Sequence, residues 1–288
     1  MVLDSDPIYV AARRVLLDAL GALDEHIDSL VLVGAQGVYH HTQHLDLPVG
    51  PFTRDADLAI DPGSLDLIPD IEEVMLGAGF QIGVNGNPGE WARVVEIDNW
   101  KIEVPVDLLV PETVSPSGSG RRSARLSGHG KRSARKVSGI EAVLVDNAWS
   151  EIRALDPSDI RIVRCRIAGP ASLLVAKAHK LADRLDRPVN PDRIKDKDAL
   201  DVYRIARAVP LFELKTSFET LLADERSAFT TSIGIDLLIK LFGSRRSSGV
   251  EMAIRSLERV EPAARIIEVF RLLTGSLPQP KYTEQPMR

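Results

Sequence analysis

The hydrophobic pattern of this 288-residue chain changes at Gly169–Pro170, and that change limits the possible folds more than any other feature. Before it, short apolar runs alternate with turn-forming residues, which is typical of strands. After it, apolar residues recur at helical spacing, and Pro170 suits the first turn of a helix. The helical segments are predicted at residues 170–185, 193–209, 211–223, 227–242 and 249–274.

The pattern therefore predicts an α+β fold, with a mixed sheet and helices over residues 1–160 and an all-helical domain over residues 161–288. In the first part, helices are expected over residues 7–24, 35–44 and 64–80. Strands are expected at residues 30–34, 55–61, 80–84, 91–98, 101–111, 142–146 and 160–167. The Ser-, Gly- and Arg-rich stretch over residues 113–139 is expected to be a loop.

Composition excludes several classes of protein. The single cysteine, Cys165, cannot form an internal disulfide and is expected in the core, which suits a reducing cytoplasm. The apolar runs are too short to span a bilayer, and the first residues lack the pattern of a secretory signal. We therefore expect a cytoplasmic protein without a membrane partner; a monomer is favoured, although the sequence does not fix the oligomeric state.

The net charge of −5 hides a basic block at residues 121–136, which has seven Lys or Arg residues and no acid. Two interpretations are open, a solvated loop or a surface that contacts RNA phosphates independently of sequence. The block has no aromatic residue, which argues against base stacking there. The candidate RNA contacts are Arg121, Arg122, Lys131, Arg132, Arg135 and Lys136.

Two acids separated by one residue open the apolar run at residues 55–61. On a strand, Asp55 and Asp57 share one face at a spacing of roughly 7 Å, so they could bind a hard divalent cation together. An exposed turn would tolerate the same pair. Asp107 lies among apolar neighbours in a later strand, where a carboxylate is costly without a cation or hydrogen bonds. We predict Mg²⁺ (or Mn²⁺) at Asp55, Asp57 and Asp107, and assign Asp61 to the turn before Pro62.

Groups that could bind phosphate flank these acids. A strand ends and a helix begins at Gly34, so the backbone of Gly34, Ala35 and Gln36 could approach a phosphate. Lys177, Lys180 and Arg184 share one helix face that suits a triphosphate. The alternative for that face is ion pairing with the acids of the next helix, Asp198 and Asp201 among them.

The order of a glycine turn, Asp-x-Asp and a later single Asp resembles the nucleotidyltransferase superfamily. The resemblance implies the fold of that superfamily and attack on the α-phosphate of an NTP, with two Mg²⁺ ions and release of pyrophosphate. The turn here is "VGAQG", where the family usually has Gly-Gly or Gly-Ser, and Gly34 precedes Asp55 by 21 residues, a longer gap than in minimal members.

Three further motifs resemble the AbiEii-like (MenT-type) toxins of that superfamily. They are Thr53-x-Asp55-x-Asp57, "LLVAKAHKLADR" at residues 173–184 and "RIKDKDALDVYRI" at residues 193–205. The resemblance implies that Thr53 lies at the nucleotide site, that Lys177 contacts phosphate and that Asp198 completes the site. It also implies a tRNA 3′ end as acceptor, a block of translation and a cognate antitoxin protein.

Several alternatives remain open. The acceptor could be a small molecule such as an aminoglycoside, or a hydroxyl on a protein, and the imperfect glycine turn would also suit an inactive binding protein. His40 and His44 have a possible zinc spacing, but no fourth ligand lies nearby, so surface histidines are the preferred interpretation. A phosphate on Thr53 would add about two negative charges beside the acids and block the site.

Overall fold

The computed structural model describes residues 6–47, 49–115, 122–186 and 196–279. These residues form the predicted α+β fold, in which one mixed sheet is followed by a helical C-terminal part. Arg121, one of the predicted RNA contacts, lies outside the described residues.

The sheet is mixed and has eight strands in the described part of the chain. They are β1 (Leu30–Val33), β2 (Ala56–Ile60), β3 (Gln81–Ile82), β4 (Glu90–Ile97), β5 (Trp100–Pro111), β6 (Arg135–Val137), β7 (Asn147–Arg153) and β8 (Ile162–Ala168). The strand order is β3-β4-β5-β2-β1-β8-β7, and β6 pairs with β5. Strand β2 is antiparallel to β1 and parallel to β5, so it lies in the middle of the sheet.

The described helices are α1 (Pro7–Ala22), α2 (Gly34–Thr42), α3 (Ile71–Gly77), α4 (Pro170–Asp186), α5 (Lys197–Ala208), α6 (Leu211–Ala223), α7 (Ala228–Phe242), α8 (Ser248–Leu257) and α9 (Ala263–Ser276). Alternation along β1 divides the core between the two faces of the sheet. Leu30 and Leu32 pack in one cluster with residues of α1 and α3, whereas Val31 and Val33 pack in another with residues of α2 and the C-terminal helices.

The C-terminal helices share a core with the sheet. Ala168 of β8 lies in the same buried cluster as Leu173 of α4 and Phe242 of α7. Strand β8 also pairs with β1, so the sheet continues past residue 160, the expected boundary. The division of the chain into two domains stays a prediction.

Four predicted elements differ from those observed. The helix expected over residues 64–80 begins only at Ile71, because Pro69 has no backbone N–H and the Asp70 side chain caps the helix by accepting from Glu72 N. The strand expected at residues 142–146 is a 3₁₀ helix at Glu141–Leu144, and β7 follows it.

The expected helix over residues 249–274 is two helices, α8 and α9. The second begins immediately after Pro262, a residue that suits the start of a helix rather than its interior. The stretch expected to be a loop over residues 113–139 contains β6, which lies parallel to β5. No helix in the described ranges is long and apolar enough to cross a membrane.

Candidate active site

Three carboxylates lie in one row across the sheet. The parallel pairing of β2 with β5 sets Asp57 beside Asp107, and the antiparallel pairing of β4 with β5 sets Glu90 beside Asp107. Paired residues face the same side of a sheet, and neighbouring strands are about 4.8 Å apart. Asp55 lies two residues before Asp57, directly ahead of β2. The structure therefore brings the three predicted acids together and adds Glu90, which the sequence analysis missed.

Gly34 closes one side of this row. Its φ of +68° lies in the left-handed region, and Val33 is the β1 partner of Asp57. A Cβ atom at Gly34 would stand 2.0 Å from Oδ2 of Asp57. The first turn of α2 thus packs against the carboxylate with its backbone, and the first N–H groups of a helix have no partner within the helix. This position suits the predicted role of Gly34 and Ala35 in binding phosphate.

The Gln36 side chain supports the site instead of facing it. It is 1% exposed, it donates to the backbone oxygen of Asp55 at 3.1 Å, and it accepts from Nε of Arg13 at 2.7 Å. These bonds fix the backbone just before β2. Any contact of Gln36 with a nucleotide would therefore come from its backbone N–H.

Thr53 connects the acids to the C-terminal helices. Its hydroxyl is buried, donates to Oδ1 of Asp55 and accepts from Nζ of Lys197 at 3.3 Å. Lys197 begins α5 and lies in the motif at residues 193–205, to which the resemblance assigns no role for this lysine. Phosphorylation of Thr53 stays a prediction, and it would require local opening because the hydroxyl is covered.

The acids differ in their ionisation. Burial tends to raise the pKa of Asp55, but the charge of Lys197 and the Thr53 hydrogen bond outweigh it, so that pKa is lowered. Burial and the charge of Asp55 raise the pKa of Asp57. Burial and the charge of Asp57 raise the pKa of Asp107 to about 7. The carboxyl groups of Asp57 and Asp107 thus lie next to each other where negative charge is disfavoured. A bound cation would stabilise their charged forms.

The donor set suits Mg²⁺ bound together with a substrate. Within the described ranges, no group of three His, Cys, Asp or Glu side chains is arranged to hold a metal ion by itself, so the metal site at Asp55, Asp57 and Asp107 stays a prediction. Mg²⁺ usually binds through one or two carboxylates plus substrate phosphates, and its ligands are oxygen atoms. Asp55 and Asp57, with Asp107 beside them, meet that requirement.

Lys177 lies in a buried ion network. Its Nζ donates to Oδ1 of Asp198 at 2.9 Å and to Oδ2 of Asp201 at 2.5 Å, and Arg184 binds the other oxygen of Asp198. Burial tends to lower the pKa of Lys177, but the two carboxylates outweigh it and raise that pKa. The network joins α4 to α5, which agrees with the alternative that this helix face pairs with the acids of the next helix. The contacts of Lys177 and Asp198 with substrate stay predictions.

Lys180 is the accessible lysine of α4. Its side chain is 39% exposed, and Nζ lies 3.6 Å from Oδ1 of Asp198. Its charge counteracts the rise in the pKa of Asp57 and contributes to the lowered pKa of Asp55. Lys180 and Lys197 are therefore cations on the helical side that act on the acids.

Two arginines of the basic block bind carboxylates of this chain. Arg135, expected to contact RNA, donates to Oδ2 of Asp107 at 2.6 Å and to Oε1 of Glu90 at 2.8 Å, because β6 pairs with β5. Arg132 donates to Glu72 through Nε and Nη2. The remaining predicted RNA contacts in the described part are Arg122, which donates to Asn87, and the side chains of Lys131 and Lys136, which form no ion pair there.

The other candidates behave as ordinary structural residues. Cys165 is fully buried, and burial raises the pKa of its thiol to about 12, which agrees with a place in the core. His40 contacts Oγ of Ser150 at 3.1 Å, and its neighbour His41 contacts the backbone oxygen of Ala168 at 2.8 Å.

Comparison with known proteins leaves the family open. No protein-family model and no curated protein matches the sequence. The solution structure of the antibiotic-resistance factor ANT(2'')-Ia matches 80% of this chain and 95% of that chain, with 12% identity and a TM-score of 0.34. A TM-score at this level does not establish a shared fold or function.

Proposed function

We propose that this chain is a metal-dependent nucleotidyltransferase that transfers a nucleoside monophosphate from an NTP to an RNA acceptor. The observation that carries the proposal is the paired position of Asp57 and Asp107 on parallel strands, beside the glycine turn at Gly34. Lys180 of α4 acts on Asp55 and Asp57, and Lys197 of α5 acts on Asp55. Acids of this kind beside a backbone anion site and lysines suit a metal-bound triphosphate.

Asp55 and Asp57 would hold Mg²⁺ (or Mn²⁺), with Asp107 as the third ligand or as the group beside the attacking hydroxyl. When bound, the ion would neutralise the carboxylates and polarise the α-phosphate of the NTP. The Gln36 bond to the Asp55 backbone and the Thr53 bond to the Asp55 carboxylate hold that residue in place before the substrate arrives.

In the reaction, the acceptor hydroxyl oxygen attacks the α-phosphorus, a new P–O bond forms, and the bond to the β-phosphate breaks to release pyrophosphate. Arg135 holds Oδ2 of Asp107 and leaves Oδ1 to orient the hydroxyl and accept its proton. In the metal-free protein the pKa of Asp107 is raised to about 7, and the charge of a bound cation would lower it and favour the carboxylate form that accepts the proton.

The triphosphate would be held from both sides. The backbone N–H groups at the start of α2 would bind it from the sheet side, and Lys180 and Lys197 would bind it from the helical side. Lys177 would fix the two helices that carry these lysines through its bonds to Asp198 and Asp201.

For the acceptor, we propose a tRNA 3′ end, whose modification would stop aminoacylation and hence translation. The chain would then act as the toxin of a pair with a cognate antitoxin. The support is the resemblance of the Thr53-x-Asp55-x-Asp57 motif and of the α4 and α5 motifs to the AbiEii-like group. The described geometry adds that Thr53, Asp55 and Lys197, which belong to these motifs, are in contact.

The test is incubation of purified protein with tRNA, Mg²⁺ and each labelled NTP. We expect label at the tRNA 3′ end, none with the Asp57→Asn variant although it melts no lower than the unmodified protein, and growth arrest that the same variant abolishes. A folded sample that labels no RNA with any NTP would overturn the RNA acceptor. Parallel reactions with an aminoglycoside and with protein acceptors show whether the protein transfers the nucleotide to a different acceptor.

A further inference from the structure

An exposed tryptophan lies against two arginines at the edge of the sheet, away from the acids. Trp149 of β7 is paired with Arg166 of β8, and Arg164 lies two residues along the same strand, hence on the same face. The guanidinium carbons of Arg164 and Arg166 lie 5.3 Å and 5.4 Å from the centroid of the Trp149 ring. The side chain of Trp149 remains 37% exposed. We refer to these three residues as the Trp149–arginine surface.

The two arginines carry charge that no nearby acid neutralises. In the described part of the chain, neither Arg164 nor Arg166 forms an ion pair, whereas Arg153 of β7 and Arg161, just before β8, do. Glu151 is the strand partner of Arg164, but its carboxylate binds Arg153 at 2.7 Å. The surface therefore combines an accessible aromatic ring with two unneutralised positive charges.

A cavity of about 280 Å³ opens beside this surface, between the end of α2 and the start of β7. Trp149 forms part of its wall, and His40, Asn147 and Ser150 supply polar groups. Asp146 also lines the cavity, and its carboxylate accepts from Ser172 N. Pockets for drug-sized ligands start at about 300 Å³, so this cavity suits a small planar group such as a single base better than a whole nucleotide.

We propose that the Trp149–arginine surface binds a single-stranded segment of the RNA acceptor, with one base stacked at Trp149 and phosphates at Arg164 and Arg166. The proposal rests on the proposed function, because it assigns a binding surface to the RNA of that reaction. Single-stranded RNA is recognised by stacking on aromatic rings and guanidinium planes and by positive charge along its backbone.

The charge distribution favours the Trp149–arginine surface over the basic block as the contact for RNA phosphates. Within the basic block first considered for RNA, Arg132 and Arg135 are bound to acids, so fewer free cations remain there. Three strand spacings separate β7 from β2, or roughly 14 Å, which a few nucleotides can cross. The open edge of β7 could instead pair with a second copy of this chain, and the test includes that outcome.

The experiment measures the affinity of the full chain, as the Asp57→Asn variant without NTP, for an RNA oligonucleotide of about a dozen nucleotides at several salt concentrations. Trp149→Ala should weaken binding by about fivefold to a hundredfold without changing the salt dependence, because stacking is uncharged. The double variant Arg164→Gln/Arg166→Gln should reduce the slope of log K against log salt by about 1.4, since each single-strand phosphate contact contributes about 0.7.

Arg245→Gln/Arg246→Gln is the matched control, because both residues are exposed and form no ion pair in the described ranges. It should leave affinity and slope unchanged, and thermal unfolding should be alike in all variants. RNA binding equal to the control in both test variants would overturn the proposal. A concentration-dependent dimer that Trp149→Ala abolishes, with RNA binding unchanged, would identify a self-association surface and also overturn it.

The two proposals can fail separately. RNA binding is measured in a variant without NTP and without turnover, so it does not depend on catalysis. Binding that requires the Trp149–arginine surface, together with no transfer from any NTP by the unmodified protein, would overturn the proposed function alone.

Discussion

Gly34 and Asp57 are in contact at a position where a side chain is impossible. A Cβ at Gly34 would lie 2.0 Å from Oδ2 and 2.8 Å from Cγ of the Asp57 carboxyl group, and the Gly34 φ is +68°. The glycine turn and the acid are therefore one structural unit: the start of α2 approaches the carboxylate because it carries no side chain.

Gly34→Ala should disable the site. The new methyl group must displace the Asp57 carboxylate, and a displacement of about 1 Å in an active site can reduce the rate on the order of a hundredfold. The left-handed conformation adds a destabilisation of about 1–2 kcal/mol. Gly21→Ala is the control, because a Cβ there meets nothing within 4 Å and Ala favours the α1 helix. Nucleotidyl transfer and thermal melting are measured for both variants. Full activity in Gly34→Ala would contradict the close contact between Gly34 and the Asp57 carboxylate.

Lys177→Met should reduce stability more than it reduces nucleotide binding. It would leave Asp198 and Asp201 buried without their shared cation, and breaking a buried ion pair costs about 3–5 kcal/mol. Chemical denaturation measures this loss.

Lys180→Met should behave in the opposite way. Its side chain is 39% exposed, so stability should change little, whereas the affinity for NTP should fall. Calorimetry of Mg²⁺–NTP binding distinguishes the two lysines. A stable Lys177→Met protein with weakened NTP binding would show instead that Lys177 contacts phosphate directly.

Arg135→Met should reduce transfer at least tenfold, because Asp107 and Glu90 lose the guanidinium that holds both carboxylates. Arg132→Met is a matched control from the same segment, since its partner is Glu72 on α3. Steady-state kinetics should show a lower kcat only for Arg135→Met. Equal loss of RNA affinity in the two variants, with kcat unchanged in both, would return Arg135 to the role of an RNA contact.

Asp107 should make the metal-free protein less stable at higher pH. Its folded-state pKa is raised from 3.8 to about 7, so the folded protein holds a proton there that the unfolded chain releases. Its contribution to stability is full below about pH 4 and declines as the pH rises through about 7. In EDTA, Asp107→Asn should melt higher than the unmodified protein at about pH 8 and equally at about pH 4. A difference that does not depend on pH would contradict the raised pKa.

Part of this site could be predicted from local sequence. The alternation at residues 55–61 correctly separates Asp55 and Asp57 from the apolar face of β2, because a strand has a period of two. Glu90 could also be predicted from local sequence. The turn at Asp98–Asn99 pairs Ile97 with Trp100, and moving away from the turn by equal numbers of residues on the two strands pairs Glu90 with Asp107.

The remainder depends on contacts between distant segments. The register that sets Asp57 beside Asp107 joins two parallel strands, and no short turn fixes it. The short strand β6, which begins at Arg135 and pairs with β5, has no local sequence signal, because the stretch around it is rich in charge. The apolar run at residues 142–146 was wrongly assigned to a strand, because short apolar runs do not distinguish strands from helices.

The most direct test of the central claim compares ATP, CTP, GTP and UTP labelled at the α-phosphate with the same nucleotides labelled at the γ-phosphate. In the presence of Mg²⁺ and tRNA, at least one α-labelled NTP should label the RNA, no γ-labelled NTP should do so, and Asp57→Asn should abolish the signal. Two results would contradict nucleotidyl transfer at Asp55, Asp57 and Asp107. One is transfer of the γ-label, and the other is a folded protein that transfers no label to RNA or to any other acceptor tested.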